Sequence, residues 1–114
     1  MAKKKVKYRV ELEKHAFVVD DGTEGKIAKE VQRYTDYRYF QNVDDCTATV
    51  ISCEPFLDNK KKVKFKAVLE KHGIFEDDGT EGKIAHDVQL AAEAQYYQDS
   101  DRCTTTVISC VDLD

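Results

Sequence analysis

The nine-residue stretch DDGTEGKIA occurs at residues 20–28 and again, unchanged, at residues 77–85. When residues 3–53 are set over residues 60–110, 30 of the 51 positions carry the same amino acid. Identity this high predicts an internal duplication whose two halves adopt the same local structure in the same order. Since 114 residues are the length of one ordinary domain, we expect residues 1–114 to form a single domain made of two repeats.

Each repeat predicts a strand, a helix and a second strand. VKYRVELE (6–13) and VKFKAVLE (63–70) alternate apolar and polar residues, which is typical of half-buried strands. Apolar residues then recur at helical spacing from about residue 23 to 41 and from about residue 80 to 98. CTATVISC and CTTTVISC, both rich in β-branched residues, end the two repeats as strands.

The resulting order, β-α-β-β-α-β, is that of the ferredoxin-like split βαβ arrangement. We therefore expect an α+β sandwich in which one antiparallel sheet carries both helices on one face. The two first strands should lie at the sheet centre and the two cysteine-containing strands outside. An alternative stays open, in which AFVVDD and GIFEDD form an extra strand after turns at Lys14-His15 and His72-Gly73, giving two ββαβ units.

The repeated DDGTEG stretch falls where a strand passes into a helix. Asp21 or Thr23 can accept a hydrogen bond from the first helical turn, and Asp21 with Glu24 has the spacing of a capping box. The stretch lacks the spacing of a P-loop and the alternating ligands of an EF-hand. We expect a helix cap, and the alternative is an irregular, weak cation site through Asp20, Asp21 and Glu24.

The sequence offers no constellation of catalytic residues. His15 and His72 follow Glu13 and Glu70 at the predicted strand ends, but nothing beside them supplies a nucleophile or oxyanion donors. No C-x2-C pair suggests a zinc site. We therefore expect no enzyme, no cofactor and no bound metal, and we expect the histidines to lie on the surface.

The four cysteines are spaced too widely for disulfides within the predicted strands. Cys46 and Cys53 are seven residues apart, as are Cys103 and Cys110, so each pair should span about 20 Å and point to opposite faces. Free thiols indicate a reducing compartment, and the basic N-terminus is not followed by the apolar segment of a secretory signal. We expect a cytoplasmic protein with no membrane association, because no apolar run reaches the roughly 18 residues of a span.

Two surfaces are candidates for binding. The first helix carries RYTDYRYF, where the second has LAAEAQYY, and tyrosine and arginine are enriched at binding hot spots. Unequal helices packing large against small side chains in a shared core would also explain this difference. The candidate contact residues are Arg33, Tyr34, Tyr37 and Arg38.

The outward faces of the two central strands form the second surface. Nucleic acid would be attracted to a basic sheet face, although Tyr8 and Phe65 should be buried and unavailable for base stacking. The candidate residues are Lys5, Lys7, Arg9, Lys62, Lys64 and Lys66.

We therefore expect a non-catalytic binding or assembly module, acting through protein–protein contacts with a partner or with itself. The contacts would use the first helix or the unpaired edges at Thr47–Cys53 and Thr104–Cys110, which contain no lysine. A nucleic-acid-binding domain that uses the lysine-rich face is the alternative.

Overall fold

The computed structural model describes residues 2–39, 41 and 43–113, which form a curled four-stranded antiparallel sheet and two helices. A short 3-10 helix, Tyr97–Asp99, precedes the last strand. The elements in chain order are β1 Ala2–Val19, α1 Lys26–Tyr39, β2 Asp45–Leu57, β3 Lys60–Asp77, α2 Lys83–Tyr96 and β4 Arg102–Asp112.

The strands lie in the order β2-β3-β1-β4, and every neighbouring pair is antiparallel. The α+β class, the antiparallel sheet and the two helices are confirmed. The first strand of each repeat lies at the centre and the cysteine-containing strands lie outside, as expected. The helices are shorter than the predicted spans, because each begins three residues later, after the second glycine of the DDGTEG loop.

The central strands are much longer than residues 6–13 and 63–70. β1 and β3 pair continuously from Ala2↔Asp77 to Val19↔Lys60. The chain therefore passes through Lys14-His15 and His72-Gly73 without a turn, and the alternative with two ββαβ units is wrong. The strands continue because each provides the other with a full ladder of backbone hydrogen bonds, and the first turn-forming residues are the Asp-Asp-Gly segments.

Both helices pack on the face formed by the even-numbered residues of β1. Val6, Tyr8, Val10 and Leu12 are buried there, as the alternation predicts. α2 covers one end of the sheet through Val88, Ala92 and Tyr96, and α1 covers the other end through Val31. The C-terminal ends of the helices meet over the middle, where the rings of Tyr39 and Tyr96 are edge to face at 5.6 Å between centroids.

The pairing of β1 with β3 is symmetric under the 57-residue offset between the repeats. Tyr8 pairs with Lys71, and their counterparts, Phe65 and Lys14, pair with each other. Glu11 pairs with Val68, which is its own counterpart in the second repeat. This pair marks the point about which the two halves of the sheet are related.

The outer strands are each interrupted by a bulge at the same position of the repeat. The pairing of β2 skips Ile51 and that of β4 skips Ile108. An extra residue turns the following side chains to the other face. Cys53 consequently pairs with buried Val63, as Cys46 does with buried Leu69, so the expectation that the two cysteines of a strand point to opposite faces is wrong.

The DDGTEG loops fold through Asx turns. Oδ1 of Asp20 accepts a hydrogen bond from Gly22 N at 3.0 Å, and Oδ1 of Asp21 accepts one from Thr23 N at 2.9 Å. The bonds from Thr23 hold the pKa of Asp21 below its usual range. α1 begins at Lys26 and Asp21 bonds Thr23 N outside the helix, so the expected capping box of Asp21 with Glu24 is wrong. At the start of α2, Gly82 has φ of 79° and no side chain caps the helix. The glycines of both loops adopt left-handed conformations that other residues rarely take.

Candidate interaction surfaces

The exposed face of α1 presents the four residues that the sequence singled out. Tyr37 is 91% exposed, and Arg33 is exposed and lies 3.6 Å from the Glu30 carboxylate. Arg38 is exposed as well. Tyr34 is 41% exposed, because its ring packs edge to face with buried Phe65 at 6.0 Å between centroids.

The corresponding face of α2 is smoother and less aromatic. Leu90, Ala91, Ala94 and Gln95 stand where α1 has its two arginines and two tyrosines, and all four are exposed. Packing of large against small side chains accounts in part for Tyr34, which contacts Phe65. It does not account for Tyr37, whose ring lies almost entirely outside the core.

The edges of the outer strands are not the open templates that the sequence suggested. On β2, Gln32 of α1 accepts a hydrogen bond from Ala48 N at 2.7 Å and donates one to Cys46 O at 3.2 Å. On β4, Gln89 of α2 bonds Thr105 N at 2.9 Å and Cys103 O at 3.1 Å in the same way. A side-chain amide thus takes the place that an added strand would occupy, and the bulges interrupt the rest of each edge.

The lysine-rich sheet face is partly neutralised by glutamates of the same face. Lys64 lies 3.5 Å from Glu13, and Lys66 lies 3.4 Å from Glu11. Glu70 lies between Lys7 at 3.7 Å and Arg9 at 4.0 Å. Exposed pairs of this kind contribute little to stability, but they lower the positive charge that the face presents to a ligand.

One end of this face carries exposed aromatic rings that sequence reasoning missed. Phe17 of β1 and Phe56 of β2 are 55% and 54% exposed, and their ring centroids are 4.7 Å apart. Phe17 pairs with Lys62, which places the two rings beside the lysine-rich stretch of β3. The bulge between Pro55 and Leu57 sets the position of Phe56 and could not be read from the alternation.

The centre of the core contains two buried lysines that the sequence analysis also missed. Nζ of Lys71 donates hydrogen bonds to Tyr96 Oη and Gln95 Oε1, both at 2.7 Å, and Nζ of Lys14 donates to Tyr39 Oη at 2.6 Å. Burial lowers the pKa of Lys71 and raises the pKa of Tyr96. Positions 14 and 71 continue the inward-facing alternation of their strands, which is the signal that could have placed these lysines inside.

The histidines pair across the two repeats and not with the neighbouring glutamates. Nδ1 of His15 lies 2.9 Å from Asp101, and Nδ1 of His72 lies 2.8 Å from Asp44. Both histidines are exposed. These contacts tie each central strand to the segment that leads into an outer strand.

All four cysteines are free thiols. Cys53 and Cys110 are exposed, while Cys46 and Cys103 are partly buried. Burial, helped by Asp36 and Asp45, raises the pKa of the Cys46 thiol to about 11, and burial raises that of Cys103. Thiols held in the protonated form are poor nucleophiles, so the inner two cysteines are suited to packing.

No group of three metal-ligating side chains occurs among the described residues. Within the same residues, neither helix has the length and apolar character needed to cross a bilayer. No protein-family model, no curated protein and no solved structure matches this chain.

Proposed function

We propose that the protein is a non-catalytic binding or assembly module that acts through protein–protein contacts, built on a duplicated ferredoxin-like framework. The framework is supported by the element order β-α-β-β-α-β, by the strand order and by the packing of both helices on one sheet face. A cytoplasmic location belongs to the same proposal, and it is supported by the four free thiols.

The observation that carries the proposal is the exposed aromatic and cationic face of α1. Tyr37 projects its ring into solvent next to Arg33, and Tyr34 offers a ring edge anchored on Phe65. A tyrosine contributes a large contact area while losing little conformational entropy, and arginine adds directional hydrogen bonds. Because Gln32 and Gln89 cover the outer strand edges, α1 is favoured over those edges as the contact surface.

Removing the two exposed side chains should weaken partner binding without unfolding the protein. We expect the variant Arg33→Ala/Tyr37→Ala to retain a protein partner from nuclease-treated extracts of its source cells at least about tenfold less well than the wild type. Leu90→Ala, which changes the counterpart of Arg33 on α2, is the matched control and should leave retention unchanged. Retention that is absent in the wild type, or equal in all three proteins, would overturn the assignment to α1.

A second candidate function is single-stranded nucleic-acid binding at the aromatic end of the lysine-rich face. The Phe17–Phe56 pair is the observation that favours it, because exposed rings beside lysines can stack bases and attract phosphates. The ion pairs to Glu11, Glu13 and Glu70 count against it, and it therefore stands second.

Nucleic-acid binding at this surface predicts that affinity depends strongly on salt concentration. Affinity for a labelled single-stranded RNA should fall steeply with ionic strength, because each neutralised phosphate releases counterions. Phe17→Ala/Phe56→Ala should weaken binding with little change in the salt slope. Changing Lys7, Arg9, Lys64 and Lys66 to Glu should abolish binding. Affinity that is independent of salt and of these changes would eliminate this surface.

A further inference from the structure

The central strands extend beyond the outer strands at both ends of the sheet. β4 pairs with β1 only from Lys4 to Glu13, and β2 pairs with β3 only as far as Glu70. Residues 15–19 of β1 and residues 72–76 of β3 therefore have a paired strand on one side and no described strand on the other. We refer to these segments as the β1 free edge and the β3 free edge.

Backbone hydrogen-bonding groups point outwards along both free edges. Glu13 O accepts a bond from Asp101 N at 2.7 Å on the β4 side of the sheet. Because alternate residues of a strand direct their N–H and C=O groups to the same side, those of His15, Phe17 and Val19 also point to that side. Glu70 O accepts a bond from Asp44 N at 2.7 Å, and by the same alternation His72, Ile74 and Glu76 point outwards from β3.

The two free edges differ in shape on the face that carries the helices. Beside the β1 free edge, a groove of about 360 Å³ lies below α1, lined in part by Ala16, Val18 and Tyr34. The counterpart of Val18 in the second repeat is Phe75, whose ring lies edge-on to Tyr8 at 6.0 Å between centroids. Gly73, two residues earlier on the same strand, leaves room for this ring, since a Cβ there would lie 3.1 Å from it. One edge therefore borders an open groove, and the other presents a phenylalanine.

We propose that a second copy of this chain adds its β3 free edge, antiparallel, to the β1 free edge. This inference rests on the proposed function for its class, assembly through protein contacts, but it uses a different surface from α1. The outward-pointing residues then face each other in three pairs. The pairs are His15 with Glu76, Phe17 with Ile74 and Val19 with His72.

Apolar character and size match at the centre of this register. His15, whose Nδ1 contacts Asp101, lies opposite Glu76, and the two apolar residues Phe17 and Ile74 meet on the open face of the sheet, where each is more than half exposed in the single chain. On the helix face, Ala16 lies opposite Phe75 and Val18 lies opposite Gly73, so each small residue faces a larger one. The exposed side of Phe75 would lie against the groove beside Tyr34.

Joining unlike edges brings a large side chain to the groove, which joining two β1 free edges does not. Two β1 free edges would pair Phe17 with itself and Ala16 with Val18, and the groove would receive no large side chain. Contact between unlike edges leaves one free edge at each end of the pair. Further copies can therefore join head to tail, and the assembly grows into an open chain or a closed ring.

A charge exchange on exposed residues tests the contact without disturbing the core. Sedimentation velocity over a concentration series should show wild-type assembly that is weakened on the order of tenfold in Phe17→Lys/Ile74→Lys, because two lysines then face each other. Phe17→Lys/Ile74→Glu should restore assembly, because lysine faces glutamate only when unlike edges join. If like edges joined, this variant would place lysine against lysine and glutamate against glutamate.

Three controls make the result decisive. Thr49→Lys/Thr106→Lys changes the outer strands and should assemble as the wild type does, and thermal unfolding should show that every variant is folded. A wild type that stays monomeric at all concentrations, a Phe17→Lys/Ile74→Lys variant that still assembles, or a Phe17→Lys/Ile74→Glu variant that does not, would overturn the inference. Arg33→Ala/Tyr37→Ala should assemble normally, so failure of the strand contact is distinguishable from failure of the α1 proposal.

Discussion

Replacing Phe65 with alanine is expected to lower the free energy of unfolding by about 3–5 kcal/mol, the range for truncating a buried phenylalanine. Phe65 is fully buried and lies at the centre of the core cluster under α1, where Val31 and Val63 surround it. The total free energy of unfolding of a small domain is only about 5–15 kcal/mol, so the variant should unfold at a much lower urea concentration than the wild type.

Phe56→Ala is the matched control for this prediction. Phe56 is 54% exposed and lies on an outer strand, so its truncation should lower the free energy of unfolding by only about 1 kcal/mol, mainly through the lost contact with Phe17. Urea unfolding followed by circular dichroism measures both variants. Similar losses of unfolding free energy in Phe65→Ala and Phe56→Ala would mean that α1 does not bury Phe65.

Tyr96→Phe is expected to destabilise the protein by about 1–3 kcal/mol, because it removes a hydrogen-bond acceptor from a buried ammonium group. Lys71 would keep Gln95 as a partner but lose the 2.7 Å bond to the Tyr96 hydroxyl. Tyr97→Phe, one residue further along, is the control, because Tyr97 is 73% exposed. Equal effects of the two changes would contradict a structural role for the Lys71–Tyr96 contact.

The effect of Tyr96→Phe should also depend on pH. The pKa of Tyr96 is raised in the folded protein, so the folded state keeps a proton that the unfolded state loses above about pH 10. The free energy of unfolding of the wild type therefore falls as the pH rises above 10, because only its unfolded state releases the Tyr96 proton. Tyr96→Phe has no hydroxyl at this position and shows no such fall. The difference in unfolding free energy between the two proteins should shrink from pH 9 to pH 11, as measured by urea unfolding.

The sequence allowed the local elements and their order to be predicted, because apolar alternation and helical periodicity report which face of each element is buried. Val6 to Leu12 showed this for β1, and the duplication extended the same assignment to β3. The strand lengths could not be predicted in this way. Ala16 to Val19 is an uninterrupted apolar run, in which the alternation that marks a strand is lost.

The candidate surfaces were only partly predictable. Exposure of Tyr37 follows from its place on α1, away from Val31 and Thr35. Gln32 covers the edge of β2 through a contact between its side-chain amide and a strand that lies far away in the chain. A single glutamine leaves no periodic pattern in the sequence that would predict this contact. The bulge at Ile51 has no sequence signature either, because it appears only in the way β2 pairs with β3.

The pairing of Glu11 with Val68 has a consequence for the evolution of such a sheet. In a homodimer of two separate halves, the residue at this position would meet its own copy across the twofold axis, and two glutamates there would repel each other. A tandem chain is free of this constraint, because the two positions mutate independently. Here one of them carries a carboxylate that reaches Lys66 at 3.4 Å, and the other carries an isopropyl group. Covalent linkage thus allows two different residues to pair at the one position where a symmetric dimer must pair identical residues.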